Sequence, residues 1–417
     1  MVREFNAKGG TPWLPRTRRL AAWCRRTGLA VALAACGLAS AAPAWAVACK
    51  DLPNPVYGTG GSAHKPFLGK YAKTLANLPD PITIVYQAPG ACVAMAALTD
   101  KDKGAGLLTG TASYWKKADG KEDTCDLPVA GQPVDFGAMG VSPSSCAGFT
   151  KAPAGVGEWQ GVINSWNVLV PVASTEQSIS AEALFFIFGF GKAGKVEPWI
   201  DETQYFVRNA TSAATIALAL ATGLPVNKFI GVDTKTNQGT VTGLAQSTSP
   251  QAAIGYVSGE VADANRATVK TLAYQHFDQT CGYWPDSTPT AFDKRGVREG
   301  QYYLWSPTHL FAYVDAGGVP VNPLVGKLVG WFAGTLPAPD GVNVLDLTIA
   351  NGNVPECAMH VWRDGDLAPL YSYQPKEPCN GYFEFKATGT TTAKVCKAST
   401  DCGTDAPVCR HGYCEVN

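Results

Sequence analysis

The sequence has little of what catalysis, metal binding or nucleic-acid binding usually requires. Only five histidines occur among 417 residues, and no two cysteines have Cys-x-x-Cys spacing, so there is no zinc-ligand pattern. A Gly-x-Ser-x-Gly nucleophile turn and a phosphate-loop lysine motif are also absent. Basic and acidic residues number 34 each, which gives no electrostatic footprint for nucleic acid. We therefore expect that the protein is not an enzyme and that it has no cofactor, no metal site and no nucleic-acid partner.

Long apolar runs are absent apart from one near the N-terminus. Five arginines between positions 16 and 26 precede an Ala-rich run at 28–42 and a small-x-small site at Ala44 to Ala46. This order is typical of a secretory signal peptide, and we expect residues 1–46 to be removed. The alternative is lipoprotein processing, because Leu33 to Cys36 resembles a lipobox; a membrane is a partner only if Cys36 is lipidated. Either way we expect export to the periplasm, the cell envelope or the exterior.

The cysteines indicate disulfides formed in an oxidising compartment. Thirteen occur in the sequence, and the leader holds two of them, Cys24 and Cys36, so that an odd number remains. We expect Cys357 to pair with Cys379. The four tail cysteines allow three connectivities, and the sequence does not choose among them: Cys396, Cys402, Cys409 and Cys414. Removing the leader also leaves 27 basic and 33 acidic residues, a net charge of −6.

Strand-like runs alternate with helix-like runs between residues 47 and 385, which predicts an α/β fold with mostly parallel sheets. Irregular stretches at 142–157 and 277–296 are expected to cross between two lobes. The polar, Cys-rich segment at 390–417 is too poor in apolar residues to form a core of its own. The predicted lobes are 47–145 with 280–385, and 150–275.

Three short stretches share one pattern, in which small residues turn into a helix start. They are Gly58–Ala63, Ala88–Cys92 and Asn209–Ser212, and the last two follow strand-like runs. Helix N-termini carry free N–H groups and partial positive charge, so that several aimed at one point can bind an oxyanion. Hydroxyl groups in these turns add donors, and Arg208 can add a forked, charged one.

Each of these features also has a purely structural interpretation. Strand-to-helix turns need small residues for steric reasons, and serine and threonine at helix starts commonly act as caps. Arg208 at a strand end suits a surface ion pair as well as a ligand contact. We expect His64 and Lys65 to be solvated, and His276, His309 and His360 to be structural.

Several strings resemble the periplasmic substrate-binding proteins of ABC importers, type 2 fold, and most of all the phosphate-binding branch. The opening turn with Ser62, the second turn after Gln87 and the strand ending at Arg208 resemble parts of that family. The most distinctive strings are Val134–Ala138 and Ile254–Val257. This resemblance covers roughly residues 55–350 and implies a two-lobed fold that captures a small ligand for an ABC permease.

The departures from that family concern the ligand. In phosphate binders the first distinctive string leads to a Ser-Asp pair whose carboxylate accepts a proton from phosphate, whereas Met139 and Gly140 stand here. Serine of the family's second turn is replaced by Ala91 and Cys92. The resemblance therefore predicts an oxyanion other than hydrogen phosphate, or a small polar organic ligand. The candidate binding residues are Gly61, Ser62, Ala63, Ala91, Cys92, Gly140, Arg208, Asn209, Thr211, Ser212 and Thr215.

Two hypotheses follow from these features. The first is an exported solute-binding protein that is phosphate- or oxyanion-binding-protein-like and serves ABC import by hinge motion of two lobes. The second is a cell-envelope or surface interaction protein on the same fold that no longer transports a small molecule. The eroded turns, the many cysteines and the stapled tail favour the second, and a cleft filled by bulky apolar side chains would support it.

Overall fold

The computed structural model describes residues 47–101 and 103–416. The predicted leader and Cys36 lie outside these residues. The helices are α1 (Lys65–Ala76), α2 (Val93–Thr99), α3 (Ala181–Phe190), α4 (Ala213–Thr222), α5 (Asn237–Ala245), α6 (Gly259–Ala264), α7 (Arg295–Arg298), α8 (Pro323–Phe332), α9 (Val344–Ala350) and α10 (Asn380–Thr388). The strands are β1 (Val47–Ala48), β2 (Pro55–Gly60), β3 (Thr83–Gln87), β4 (Leu107–Leu108), β5 (Thr111–Trp115), β6 (Glu122–Asp126), β7 (Gln132–Pro133), β8 (Phe136–Met139), β9 (Val156–Pro171), β10 (Ser178–Ser180), β11 (Tyr205–Val207), β12 (Val232–Asp233), β13 (Ile254–Ser258), β14 (Val269–Thr271), β15 (Ala273–Gln275), β16 (Trp305–Tyr313), β17 (Val361–Trp362), β18 (Tyr371–Ser372), β19 (Val408–Arg410) and β20 (Tyr413–Glu415).

Local sequence signals set the ends of several helices. The Ser180 hydroxyl caps α3 by accepting from the Ala183 N–H at 3.2 Å. The Asn322 amide oxygen caps α8 by accepting from the Leu324 N–H at 3.0 Å, ahead of a proline at the first helical position. Gly223 ends α4 at a φ of 75°, a backbone conformation that a side chain disfavours.

One sheet of 12 strands forms the centre of the fold, in the order β1-β6-β5-β3-β2-β8-β16-β9-β13-β11-β12, with β14 also paired to β9. The first half of β9 pairs antiparallel with β16, and its second half pairs with β13 and β14. A single strand of 16 residues, β9, thus joins the β16 side of the sheet to the β13 side. The α/β fold class predicted from the sequence is confirmed, while the lobe boundaries stay a prediction.

The expectation of mostly parallel sheets is wrong, because the sheet is mixed. β2 is parallel to β3 and β8, and β11 is parallel to β12 and β13. The longest pairing is antiparallel and joins β9 to β16. The first part of β9 alternates between half-buried and exposed residues, a pattern that strands with one solvated face adopt.

Five disulfides cross-link the described residues. The predicted Cys357–Cys379 pair is confirmed, and the tail pairs Cys396 with Cys409 and Cys402 with Cys414. The other two bonds are Cys49–Cys125 and Cys92–Cys146, and the free thiol is the exposed Cys281. Within residues 47–101 and 103–416, no helix combines the length and apolar character needed to cross a bilayer.

Candidate functional site

The three turns singled out from the sequence lie in direct contact with one another. The Gly90 N–H of the second turn donates to the Gly60 carbonyl of the first at 3.1 Å. The neighbouring Ala91 N–H donates to the Thr211 carbonyl of the third turn at 2.8 Å. All three turns follow strands of the central sheet, β2, β3 and β11, and each leads towards a helix. The sheet therefore carries the three turns to a single place.

Close packing at this place requires glycine. A Cβ at Gly90 would lie 2.1 Å from the Thr211 hydroxyl oxygen, at a φ of 156° that few side chains tolerate. Gly140 is similarly enclosed, since a Cβ there would lie 2.8 Å from the fully buried indole of Trp166. The space between the second and third turns is filled by protein atoms.

Several N–H groups expected to face an anion are bonded within the protein instead. Besides Ala91, the Gly61 N–H donates to the Ala138 carbonyl at 3.0 Å. In the third turn the Asn209 side-chain oxygen accepts from the backbone N–H of Thr211 at 3.1 Å, and the Asn209 carbonyl accepts from Ser212. The Asn209 contacts cap the third turn, while the other two bonds tie the second turn to the third and the first turn to β8.

Two further candidate binding residues, Cys92 and Thr215, have partners within the protein. A third candidate, Ala63, is buried. Cys92 is held in its disulfide to Cys146, which ties the second turn to the segment before β9. The Thr215 hydroxyl lies 3.0 Å from both the Arg208 carbonyl and the Tyr256 hydroxyl. Thr215 thus fixes the backbone of Arg208.

Arg208 joins the third turn to the first. Its Nη2 donates to the Lys235 carbonyl at 2.7 Å and to the Ser62 hydroxyl at 3.3 Å, and its Nη1 donates to the Asn237 amide oxygen at 2.7 Å. The residue is 5% exposed. Sequence reasoning identified both Arg208 and Ser62, and the structure brings them within hydrogen-bond distance of each other.

The Arg208 guanidinium has no carboxylate against it. Among the described residues it forms no ion pair, and its buried Nε has no hydrogen-bond partner. Burial lowers the pKa of Arg208, and the nearby Asp233 carboxylate opposes this effect; Asp233 is itself paired with Lys235. The charge of Arg208 is therefore not compensated by an acidic side chain of the described residues.

A chain of hydrogen bonds leads from Arg208 to a buried acid. The Asn237 amide donates to the Ser258 hydroxyl at 2.8 Å, and that hydroxyl donates to Glu260 Oε1. Burial raises the pKa of Glu260 to about 7, while the Ser258 hydrogen bond opposes the shift. We call Ser62, Arg208, Asn237, Ser258 and Glu260 the Arg208 network. The sequence analysis missed its last three members, although Ser258 and Glu260 directly follow the distinctive string Ile254–Val257.

Two adjoining cavities form a groove beside this network. One, of about 570 Å³, is lined by Ser62, Asn237 and Trp115 and by three lysines of α1: Lys65, Lys70 and Lys73. The other, of about 520 Å³, is lined by Glu260, Asp263 and Asn351. Pro66, Lys70, Gln238 and Val261 line both cavities, so the two cavities adjoin. The groove therefore runs past Ser62 at one end and Glu260 at the other.

His64, beside the first turn, corrects one expectation. It is buried rather than solvated, its ring packs against Gly61, and its Nε2 has no hydrogen-bond partner. Burial lowers the pKa of His64 to about 3, and His309 adds to that effect. Lys65 is partly exposed, as expected, and pairs with Glu122.

Comparison with known proteins gives matches among solved structures only, since no family model and no curated protein matches the chain. A protein from Clostridium perfringens, assigned as a phosphate ABC transporter substrate-binding protein and holding phosphate, is 11% identical at a TM-score of 0.49. An ABC-type phosphate transport receptor from Vibrio cholerae is 14% identical at a TM-score of 0.44. Both alignments cover 72% of this chain and 99% of the other.

A third similar structure is the reduced OxyR regulatory domain from Pseudomonas aeruginosa, 9% identical at a TM-score of 0.38, with 69% of this chain and 99% of that one covered. The first two are the kind of protein that the sequence motifs resemble.

Proposed function

We propose that the protein is an exported solute-binding protein that holds a small oxyanion at Arg208 and Ser62 and presents it to an ABC permease. The observation that carries this proposal is the buried Arg208 guanidinium, which has no ion-pair partner among the described residues and whose Nε lacks a hydrogen bond. In folded proteins, a buried cationic side chain usually has an anionic partner. A ligand oxyanion is the matching group that the site lacks.

The groove supports the same ligand charge. Lys65, Lys70 and Lys73 line the cavity beside Ser62 together with Asp119 and Glu122, so its charged side chains sum to +1, and positive charge raises the local concentration of an anionic solute. Because Met139 and Gly140 replace the acceptor carboxylate of phosphate binders, a fully ionised oxyanion suits the site better than hydrogen phosphate.

A thermal-shift and calorimetric screen of the chain without its leader tests the proposal. The probes are sulfate, molybdate, phosphate and small organic acids, and a ligand that binds only the folded state raises the melting temperature. Arg208→Ala is expected to weaken binding about tenfold or more, since a charge-assisted hydrogen bond is lost. Arg295→Ala, which removes an exposed arginine paired with Glu299, is the matched control. No shift with any probe, or equal shifts in wild type and Arg208→Ala, would contradict the proposal.

A second candidate function is an envelope interaction protein on the same fold. The direct contacts between the second and third turns, with Trp166 packed at Gly140, favour it because they fill the space where the turns meet. Neighbouring genes separate the two candidates. Permease and ATPase genes beside this one support import, and their absence supports the interaction protein.

A further inference from the structure

We infer that Glu260 forms a second subsite in the groove, which takes the ammonium group of a ligand whose oxyanion end lies at Arg208 and Ser62. The ligand class is a small zwitterion, an oxyacid that carries an amine. This inference rests on the proposed oxyanion site and adds the chemistry of the ligand's other end.

Glu260 has an oxygen that the protein leaves without a partner. The residue is 4% exposed, its Oε1 accepts from the Ser258 hydroxyl, and its buried Oε2 has no hydrogen-bond partner. Buried carboxylate oxygens are normally satisfied by donors or by a cation. Since Glu260 lines the cavity of about 520 Å³, a ligand in the groove is placed to supply that donor.

The neighbouring charged groups are already engaged. Lys70 Nζ donates to the Ala350 carbonyl at 3.0 Å and to the Asn351 amide oxygen at 2.9 Å. Asp263 Oδ1 accepts from Arg266 at 2.6 Å, and its Oδ2 lies 2.7 Å from Lys294 as an ion pair without hydrogen-bond geometry. Glu260 is therefore the acid in this wall whose side-chain oxygen has neither a hydrogen-bond donor nor an ion-pair partner in the described part of the protein.

An ammonium group fits Glu260 better than a metal ion does. Calcium takes six to eight oxygen ligands and magnesium six, whereas only one Glu260 oxygen is open and both Asp263 oxygens have cationic partners. Across the described part of the chain, the only cluster of three metal-ligating residues consists of Cys396, Cys402 and Cys414, whose sulfurs are in disulfides. An alkylammonium needs one strong acceptor and little space.

The Arg208 network holds the two charges apart. Asn237 and Ser258, both neutral, stand between the Arg208 cation and the Glu260 anion in the chain of hydrogen bonds. A zwitterion carries the opposite arrangement, an anion and a cation separated by a short neutral linker. Ser62, which accepts from Arg208, lines one cavity of the groove and Glu260 lines the other, so the two ends of such a ligand would lie near groups of opposite charge.

Matched pairs of probes test this inference by isothermal titration calorimetry at pH 8. Taurine is compared with propane-1-sulfonate, and 2-aminoethyl phosphate with propyl phosphate, so that each pair differs mainly in an ammonium against a methyl group. We expect at least one ammonium member to bind about tenfold or more tightly than its partner. Equal affinity within both pairs overturns the inference and leaves the oxyanion site standing. No binding by any probe, with no shift by inorganic oxyanions, overturns both.

Variants assign the preference to its residue. Glu260→Gln keeps the side-chain shape, and we expect it to abolish the ammonium preference while propyl phosphate or propane-1-sulfonate binds as before. Arg208→Ala is expected to weaken both members of a pair. Glu122→Gln, which removes another acid of the groove wall, is the control that keeps the preference. A preference that survives in Glu260→Gln overturns the inference.

A pH series on the wild-type protein gives a second readout that does not depend on the variant's folding. The groups around Glu260 are Ser258 of β13, Lys70 of α1 and Asp263 of α6, and burial outweighs their effects in raising its pKa to about 7. Alkylammonium groups stay charged between pH 5 and 8. The preference is therefore expected to fall as the pH drops below 7, and a preference unchanged at pH 5 contradicts the assignment to Glu260.

Discussion

Two sets of charged side chains lie near α6, largely buried except for the partly exposed Arg266, and their charges are arranged differently. In the four-charge cluster, Asp263, Arg266, Asp286 and Lys294 alternate in sign and touch: Lys294 Nζ lies 2.7 Å from Asp263 and 2.9 Å from Asp286, and Arg266 Nη2 lies 2.6 Å and 2.7 Å from the same two acids. In the Arg208 network, one cation and one anion stand at opposite ends of two neutral side chains.

The difference separates a structural use of charge from the binding use that we propose for Arg208 and Glu260. Charges in contact compensate each other's loss of hydration, so the four-charge cluster is complete without a ligand. Charges held apart leave Arg208 Nε and Glu260 Oε2 without partners, at a cost to stability that a ligand can recover. Three measurements test this contrast.

The largest effect is expected in the four-charge cluster. Lys294→Met leaves two buried acids with Arg266 as their remaining cationic partner, and breaking a buried ion pair in this way costs about 3–5 kcal/mol in the free energy of unfolding. Urea denaturation measures the loss. Lys327→Met, which removes an exposed lysine 3.8 Å from Asp80, is the control and should change stability by less than about 0.5 kcal/mol. A loss below about 1 kcal/mol for Lys294→Met would contradict the structural role of the four-charge cluster.

Glu260 is expected to make stability depend on pH. Its pKa of about 7 in the folded state lies above the ordinary 4.5, so between these values the folded protein binds more protons than the unfolded chain. Stability from this group therefore falls as the pH rises from 4.5 through 7, by roughly 3.4 kcal/mol at most. Urea denaturation at pH 5 and pH 8 should show a smaller fall in Glu260→Gln than in wild type. An identical fall in stability for the two proteins would mean that ionisation of Glu260 does not destabilise the fold.

The smallest effect is expected at Arg208. Arg208→Met removes hydrogen bonds to Ser62, Asn237 and Lys235 but also removes an uncompensated buried charge, so the two terms nearly cancel. Without ligand, the free energy of unfolding should change by less than about 1 kcal/mol in either direction. A loss of 3 kcal/mol or more would show that Arg208 is structural in the same sense as Lys294.

The parts of the site that the sequence predicts are those made within short segments. Small residues before a helix start and a basic residue at a strand end are local patterns, and they identified Ser62 and Arg208. Asn237 and Glu260 lie 29 and 52 positions beyond Arg208, and only the parallel pairing of β11 with β12 and β13 brings their elements beside it. No local pattern encodes that arrangement.

The fold shows the same division. Helix caps at Ser180 and Asn322 follow from single residues, and the Cys357–Cys379 pair is close in sequence. The antiparallel pairing of β9 with β16 joins residues between 140 positions (Ser165 and Trp305) and 157 positions (Val156 and Tyr313) apart, and the register between them is set by packing that no short stretch contains. The same long separation explains why the direction of the central strands was predicted wrongly.

The strand β9 has a consequence for how the amide protons of this protein exchange with solvent. Its inner residues are buried, and its backbone bonds to β16, β13 and β14 along successive parts of its length. Opening either end of the sheet alone leaves the other part of β9 paired. Complete exchange of all its inner amides should therefore require both pairings to open, and the slowest of these amides would report the stability of the whole molecule.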